Sequence, residues 1–186
     1  ACLDSEAERS LLSQRVAGEL LLKKRLQPAA KHYDFRVIDT PPSLQTPTLN
    51  GIAIADVLVI PIETSMYGLH GLTQLLRTIT EVRDAHDINP LLMALSTMHN
   101  PRQNFDRLIR SKIVERFGEE CVFSTTIHRA IAIGEASTRL QSIVESQPES
   151  NSTFAFHKLV AELKQVLVEE GLLSNEQEDF MQRSIF

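Results

Sequence analysis

Between Tyr33 and Asn50 the chain reads YDFRVIDTPPSLQTPTLN. Its apolar residues alternate and then run together (Phe35, Val37, Ile38), the pattern of a short buried strand. That strand ends on an acid, Asp39, followed by Thr40, Pro41 and Pro42. Two prolines extend neither a β-ladder nor a helix interior, so the chain has to leave the sheet directly after the carboxylate. Asp39 is thereby expected at the carboxyl end of a strand, on the side where open α/β sheets bind ligands. Two roles fit such an acid. It caps the turn that follows, or it holds a Walker B position, binding Mg²⁺ through water beside nucleotide phosphates.

On either side, helical and strand-like patterns alternate. Upstream, Ser5–Ala30 carries an apolar stripe flanked by charge and closed by Pro28, with Lys23, Lys24 and Arg25 read as a solvated face. Downstream, Thr48–Ala55 reads as a short helix and Val57–Ile62 as a continuous apolar strand buried on both faces. Leu69, Leu72, Leu75, Leu76, Ile79 and Val82 recur at threes and fours in a helix that begins at Gly68 or Leu69. A strand over Leu91–Thr97, a helix over Asn104–Phe117, a strand over Val122–Ile127 and a helix over Thr153–Glu170 follow, with Gly171 suited to the C′ position. Strands joined by crossover helices predict an α/β fold with a doubly wound, mostly parallel sheet. No Gly/Ser-rich linker interrupts it, so one domain is expected over residues 1–171, with a polar tail over 172–186 in which Ser174 and Gln177 could form a capping box.

The composition narrows the function classes. A chain of 186 residues with 42% hydrophobic content can bury one core. No run of 18 apolar residues and no charged-then-apolar leader occurs, which predicts neither a membrane span nor a secretory signal. Cys2 and Cys121 form no CxxC pair and read as incidental thiols. Asn151-Ser152-Thr153 matches a glycosylation sequon and reads more simply as a helix cap. His32, His70, His86, His99 and His157 show no metal-ligand spacing and read as surface or helix-face residues. No G-x-S-x-G elbow is present. A net charge of −5 argues against gripping DNA as the main task.

Four runs in order, YDFRVIDTPPSL, ADVLVIPIETSMYGLHGLTQLLRTI, LSTMHNPRQN and IHRAIAIGEA, resemble the ParA/Soj family of chromosome and plasmid partitioning ATPases. The resemblance extends from the first helix to about Gly171. It implies a P-loop NTPase-like fold, ATP and Mg²⁺ as cofactors, an ATP-dependent homodimer and a ParB-like partner that stimulates hydrolysis. It also implies a cytoplasmic place in a bacterium, on the nucleoid if DNA binding is retained. Asp39 then holds Mg²⁺ through water, and Thr40, Pro41 and Pro42 form the switch that senses the γ-phosphate. Pro61, Tyr67 and Gly71 match the block near the dimer and nucleotide face; as plain structure they read as a strand end, a packed aromatic and a helix residue with close contacts. Thr97, Met98 and His128 fall around the adenine, and Arg102 and Asn104 match the family's next step.

The departures are as informative. The family's P-loop, of the form KGGxGKS/T, has no counterpart among the 186 residues, so the chain by itself is expected not to hydrolyse ATP. It opens on Ala1 rather than methionine, as a segment of something longer or a processed chain would. Asn100 stands where the family has Asp, and His128 where it has Pro. DNA-contacting relatives carry arginines in two loops; here Arg129 is kept, but Ala132, Glu149 and Asn151 replace basic positions, which weakens nonspecific DNA binding and leaves Arg129 and Arg139 as candidates. The main alternative is a degenerate, non-enzymatic relative acting as a protein-interaction module. A MinD-like membrane ATPase is disfavoured because the tail has only Arg183 among acids.

Overall fold

The computed structural model describes residues 22–23, 25–28, 32–41 and 43–173. The chain falls into two compact units, Ala1–Leu58 with Thr73–Leu91, and Val59–Leu72 with Leu92–Phe186. Of the upstream helix, residues 22–23 and 25–26 are helical, with Lys23 and Arg25 exposed; the remainder, Lys24 included, lies outside the described residues, as do Pro42 and the Ser174–Gln177 capping box.

In the first unit, α1 spans Thr46–Ile54, one residue or two from its expected limits. Pro47 suits its first turn, where the missing N–H costs nothing. Thr48 through Ala53 are all buried. The Tyr33–Ile38 segment departs from expectation. It belongs to no β-ladder among the described residues, and Val37 is 95% exposed. A buried strand needs a partner strand on at least one edge, and none of the described elements supplies it.

Strand β1 (Val57–Glu63) and strand β2 (Leu91–Thr97) lie side by side, joined through α2 (Met66–His86). Leu91 N–H donates to the Asp56 carbonyl (2.9 Å) and Thr64 N–H to the Thr97 carbonyl (3.1 Å), the same order along both strands, so the pair is parallel. β1 is buried on one face only toward its end: Ile60 and Ile62 face in, while Val59, Pro61 and Glu63 are exposed. Pro61 can donate no ladder bond, which fits an edge. β2 is buried from Met93 to Ser96.

The predicted strand over Val122–Ile127 is broken. Only isolated parallel bridges form, Ala94 with Val122 and His99 with His128. Phe123 N–H bonds the Ala94 carbonyl and Ile127 N–H the Ser96 carbonyl, each at 3.0 Å, so the chain bulges outward between them. The bulged Ser124 and Thr125 N–H groups instead donate to the two carboxylate oxygens of Glu162.

In the second unit α3 (Asn104–Phe117) buries Asp106, Ile109 and Ile113, then stops at Gly118, whose φ of 86° is left-handed. A 3₁₀ turn (Glu119–Cys121) leads to the bulged segment. Two short helices that periodicity did not announce follow, α4 (Ile131–Thr138) and α5 (Ile143–Ser146), the latter closed by a Ser142/Glu145 capping box. α6 (Asn151–Glu169) is capped by Ser150 rather than by Asn151, and Gly171, φ 68°, ends it as expected. Thr153, fully buried, donates its hydroxyl toward the Gln147 carbonyl at 2.7 Å, with the Ile143 carbonyl at 3.2 Å.

Candidate functional site

The carboxyl ends of β1 and β2 and the segment ending at His128 come together in the second unit. After β1, the Ser65 hydroxyl accepts the Gly68 N–H (3.2 Å) and starts α2. The turn is so tight that a Cβ on Gly68 would lie 2.2 Å from the Glu63 carbonyl oxygen. The close approach belongs to Gly68; Gly71 has open space around it, and Tyr67 is 90% exposed rather than packed.

After β2 the chain turns through Met98, whose φ of 52° is unusual for a side chain of this size. Bonds on both sides hold it there. The Thr97 carbonyl accepts from Thr64 N–H and His99 N–H donates to the Ile127 carbonyl, each at 3.1 Å. The Met98 side chain is left half-exposed, and His128 is exposed as well. Asp106, from the first turn of α3, then ties the two strand ends together. Its Oδ2 accepts the Thr64 hydroxyl at 2.9 Å and the Asn100 N–H at 2.7 Å. The Asn100 side-chain oxygen accepts Arg102 N–H at 3.1 Å, completing the turn into α3.

His99 is buried against this carboxylate, contrary to a surface reading. Its Nδ1 lies 4.0 Å from Asp106 Oδ2, beyond a hydrogen bond, and its ring centroid is 6.1 Å from that of His128. Burial lowers the His99 pKa, with the Asp106 charge pulling the other way and His128 and Arg110 adding to the fall. The Asp106 carboxyl lies below the ordinary range because the Asn100 N–H bonds its charged form, outweighing burial. Arg129 follows His128 and reaches Glu63 at the end of β1 (3.4 Å, both exposed). Thr97, Met98, His128 and Arg129 are therefore brought to one sheet end. Pro61 sits two residues short of it on β1, and Arg139 closes α4 apart from the cluster, its N–H donating to the Ala136 carbonyl (3.0 Å). Asp106, Thr64 and Glu63 were not singled out by sequence. Only the acid in a helix's first turn marked Asp106, and its partner Thr64 is far away in the chain.

Asp39 and its loop belong to the first unit. Asp39 and Thr40 are exposed, and the Pro41 carbonyl accepts the Thr48 hydroxyl (3.2 Å) and the Ser43 N–H (2.7 Å). A Cβ on Gly51 would come within 2.9 Å of Thr40 Cγ2, so glycine lets the loop lie on α1. No group of three or more His, Cys, Asp or Glu suited to a metal occurs among the described residues. A lone exposed carboxylate fits Mg²⁺ that keeps most of its waters and takes its remaining ligands from phosphates. Among the described residues no helix is long and apolar enough to cross a membrane.

A family described as an AAA domain matches residues 4–93. An uncharacterized protein of Mycobacterium tuberculosis is 35% identical over 164 residues, 87% of this chain and 51% of that protein. The chromosome-partitioning ATPase Soj of Thermus thermophilus is 35% identical over 134 residues, 70% of this chain and 53% of Soj. The chain thus spans about half the length of these curated relatives. The crystal structure of cobyrinic acid a,c-diamide synthase from Mycobacterium smegmatis superposes with a TM-score of 0.65 at 25% identity, covering 92% of this chain and 62% of that one. With its parallel strands, its flanking helices and Soj-like sequence over 70% of its length, the chain is similar to the ParA/Soj partitioning proteins.

Proposed function

We propose that this chain is the switch-bearing part of a ParA-like partitioning ATPase: an ATP-dependent homodimer, working in the bacterial cytoplasm, whose hydrolysis is stimulated by a ParB-like protein. The observation that carries the reading is the Asp39 loop. Its acid is exposed, and its far side is latched to α1 by Thr48 and the close approach at Gly51. A segment anchored on one side and open on the other suits an order/disorder switch. Asp39 would hold Mg²⁺ through water, and Thr40, Pro41 and Pro42 would respond to the terminal phosphate. Bound ATP supplies the γ-phosphate whose loss resets the switch. Pro61, Thr97, Met98 and His128 would serve the base, on a turn kept in shape by Asp106. DNA contact would fall to Arg129 and Arg139; the Glu63 carboxylate beside Arg129 and exposed Glu149 weaken that surface further.

The test compares the native protein, purified from its source cells, with the 186-residue chain. The native protein is expected to hydrolyse ATP in a Mg²⁺-dependent way, faster with its ParB-like partner, and to lose this on Asp39→Ala. The chain alone, which carries no Gly-Lys-Ser/Thr loop, is expected to show no turnover. A native protein that binds no nucleotide, or an Asp39→Ala variant as active as wild type, defeats the reading. A second reading, a non-enzymatic interaction module, is favoured by Tyr33, Phe35 and Val37, all exposed within one short segment. It predicts a native mass equal to that of this chain and capture of a protein partner that Val37→Lys abolishes.

A further inference from the structure

We propose that the Thr97–Asn100 turn is a proton-operated latch, closed while His99 is neutral and opened when its ring takes up a proton. The turn is short and braced on both sides. β2 feeds it from buried Met93–Ser96 and α3 takes over at Asn104, with exposed Pro101, Arg102 and Gln103 between. Of its four residues only His99 is buried. The ring nitrogen Nδ1 is sealed from water and has no hydrogen-bond partner among the described residues. Asp106 Oδ2 stands 4.0 Å from it and already accepts two donors, the Thr64 hydroxyl and the Asn100 N–H. A neutral ring tolerates this, because Nδ1 can stay unprotonated. An imidazolium carries an N–H on both nitrogens and would keep one of them buried and unbonded.

The charges around the ring weigh the same way. Arg110, whose guanidinium donates to the Phe123 carbonyl at 3.3 Å, and His128, whose ring centroid lies 6.1 Å away, both oppose a second positive charge there. Arg129 lies near enough to act on Asp106 and is itself met by Glu63 at 3.4 Å. Among these groups Asp106 alone favours a charged His99, and burial outweighs it. Opening the turn puts the ring in water, where it takes up a proton at about pH 6.5. The closed form binds that proton less readily, so below about pH 6.5 the open form gains by up to about tenfold per pH unit, the limit for one proton. The Asn100 N–H holds Asp106 below the ordinary carboxylate range, so the carboxylate keeps its charge through this window. Met98, at a left-handed φ of 52°, is released from a costly backbone conformation as the turn opens. The bonds that opening breaks are Asn100 N–H to Asp106 and His99 N–H to the Ile127 carbonyl. The latch does not rest on the nucleotide reading.

Amide hydrogen exchange followed by NMR on the 186-residue chain, corrected for the intrinsic pH dependence of exchange, reads the latch at its own two amides. Protection of the His99 and Asn100 N–H groups is expected to fall below about pH 6.5, by up to about tenfold per pH unit, while Ile109 and Ile113 in the buried face of α3 keep theirs. The His99 ring is expected to titrate below about pH 6.5, a check that needs no variant. His99→Gln, which cannot take up the proton, is expected to flatten the fall, and His128→Gln to keep it. A flat profile in the wild type, a His99 ring that titrates at or above about pH 6.5, or a fall unchanged in His99→Gln overturns the proposal. Parallel loss of protection at Ile109 and Ile113 overturns it in favour of general unfolding in acid. A fall that disappears in His128→Gln overturns it in favour of His128 as the sensor.

Discussion

Replacing Glu162 by alanine removes the acceptor for two N–H groups that the bulge takes out of the sheet. Ser124 is exposed, so water can take over its N–H at little cost, about 0.5 kcal/mol. Thr125 is buried, and its N–H, bonded to Glu162 at 3.0 Å, would be left without an acceptor at a cost of about 2 kcal/mol. The sum, about 2.5 kcal/mol, corresponds to a fall in Tm of about 5–10 °C for a chain of this size. Urea unfolding followed by circular dichroism gives the value directly, provided the slope m is unchanged. Glu162→Gln keeps one accepting oxygen and is expected to lose roughly half as much.

The pH dependence supplies the sharper test. Burial raises the Glu162 pKa, but the hydrogen bonds from Ser124 and Thr125 outweigh it, and the net shift is downward from the ordinary glutamate value. A carboxyl with a depressed folded-state pKa contributes stability above its unfolded value, about 4.3, and loses it as pH falls through the folded value. The gap between wild type and Glu162→Ala is therefore expected to be full at pH 7 and to close below about pH 4. A difference under about 0.5 kcal/mol at pH 7, or one that persists unchanged into acid, would refute the account of the bulge.

Asp106→Ala leaves the buried Thr64 hydroxyl and the Asn100 N–H without their acceptor, at about 3 kcal/mol in urea unfolding, and the Asn100 amide resonance is expected to move. Its contribution has the same sign of pH dependence, present above about pH 4 and lost in acid, because the Asn100 N–H holds the carboxyl low. Gly68→Ala drives a Cβ to 2.2 Å from the Glu63 carbonyl oxygen, and a loss of at least about 2 kcal/mol is expected; an unchanged Tm would mean the turn relaxes freely. Thr153→Val, nearly isosteric in a fully buried site, is expected to cost about 1 kcal/mol, the loss of one hydroxyl bond to a Gln147 carbonyl that keeps the Ser150 N–H, measured by the urea midpoint.

Helices and strands with strong periodicity were legible from the residues alone. β2 and α3 occupy Leu91–Thr97 and Asn104–Phe117 as read, because their apolar spacing records which face is buried. Tyr33–Ile38 carries an equally clear pattern, yet alternation reports a capacity for burial and says nothing of whether a partner strand is present. Val122–Ile127 failed differently. Its apolar content could not announce that a glutamate on a distant helix would accept two of its amide protons. Asp39 and its prolines were conspicuous because proline restricts the backbone locally. The ties of Asp106 to Thr64 and of Arg129 to Glu63 join residues far apart in sequence, and nothing local to either member encodes them. His99 was misplaced for the same reason: its burial comes from α3 and the His128 segment, not from its neighbours in the chain.

The bulge clasped by Glu162 has a consequence for how the protein is made. A ribosome delivers Thr125 37 residues before Glu162, which receives its amide proton. Until α6 emerges, the nascent second unit holds amides that only water can satisfy, next to Phe123, which is fully buried in the finished fold. Closure of the bulge thereby waits for α6, a period in which a chaperone rather than the protein's own core guards the apolar surface.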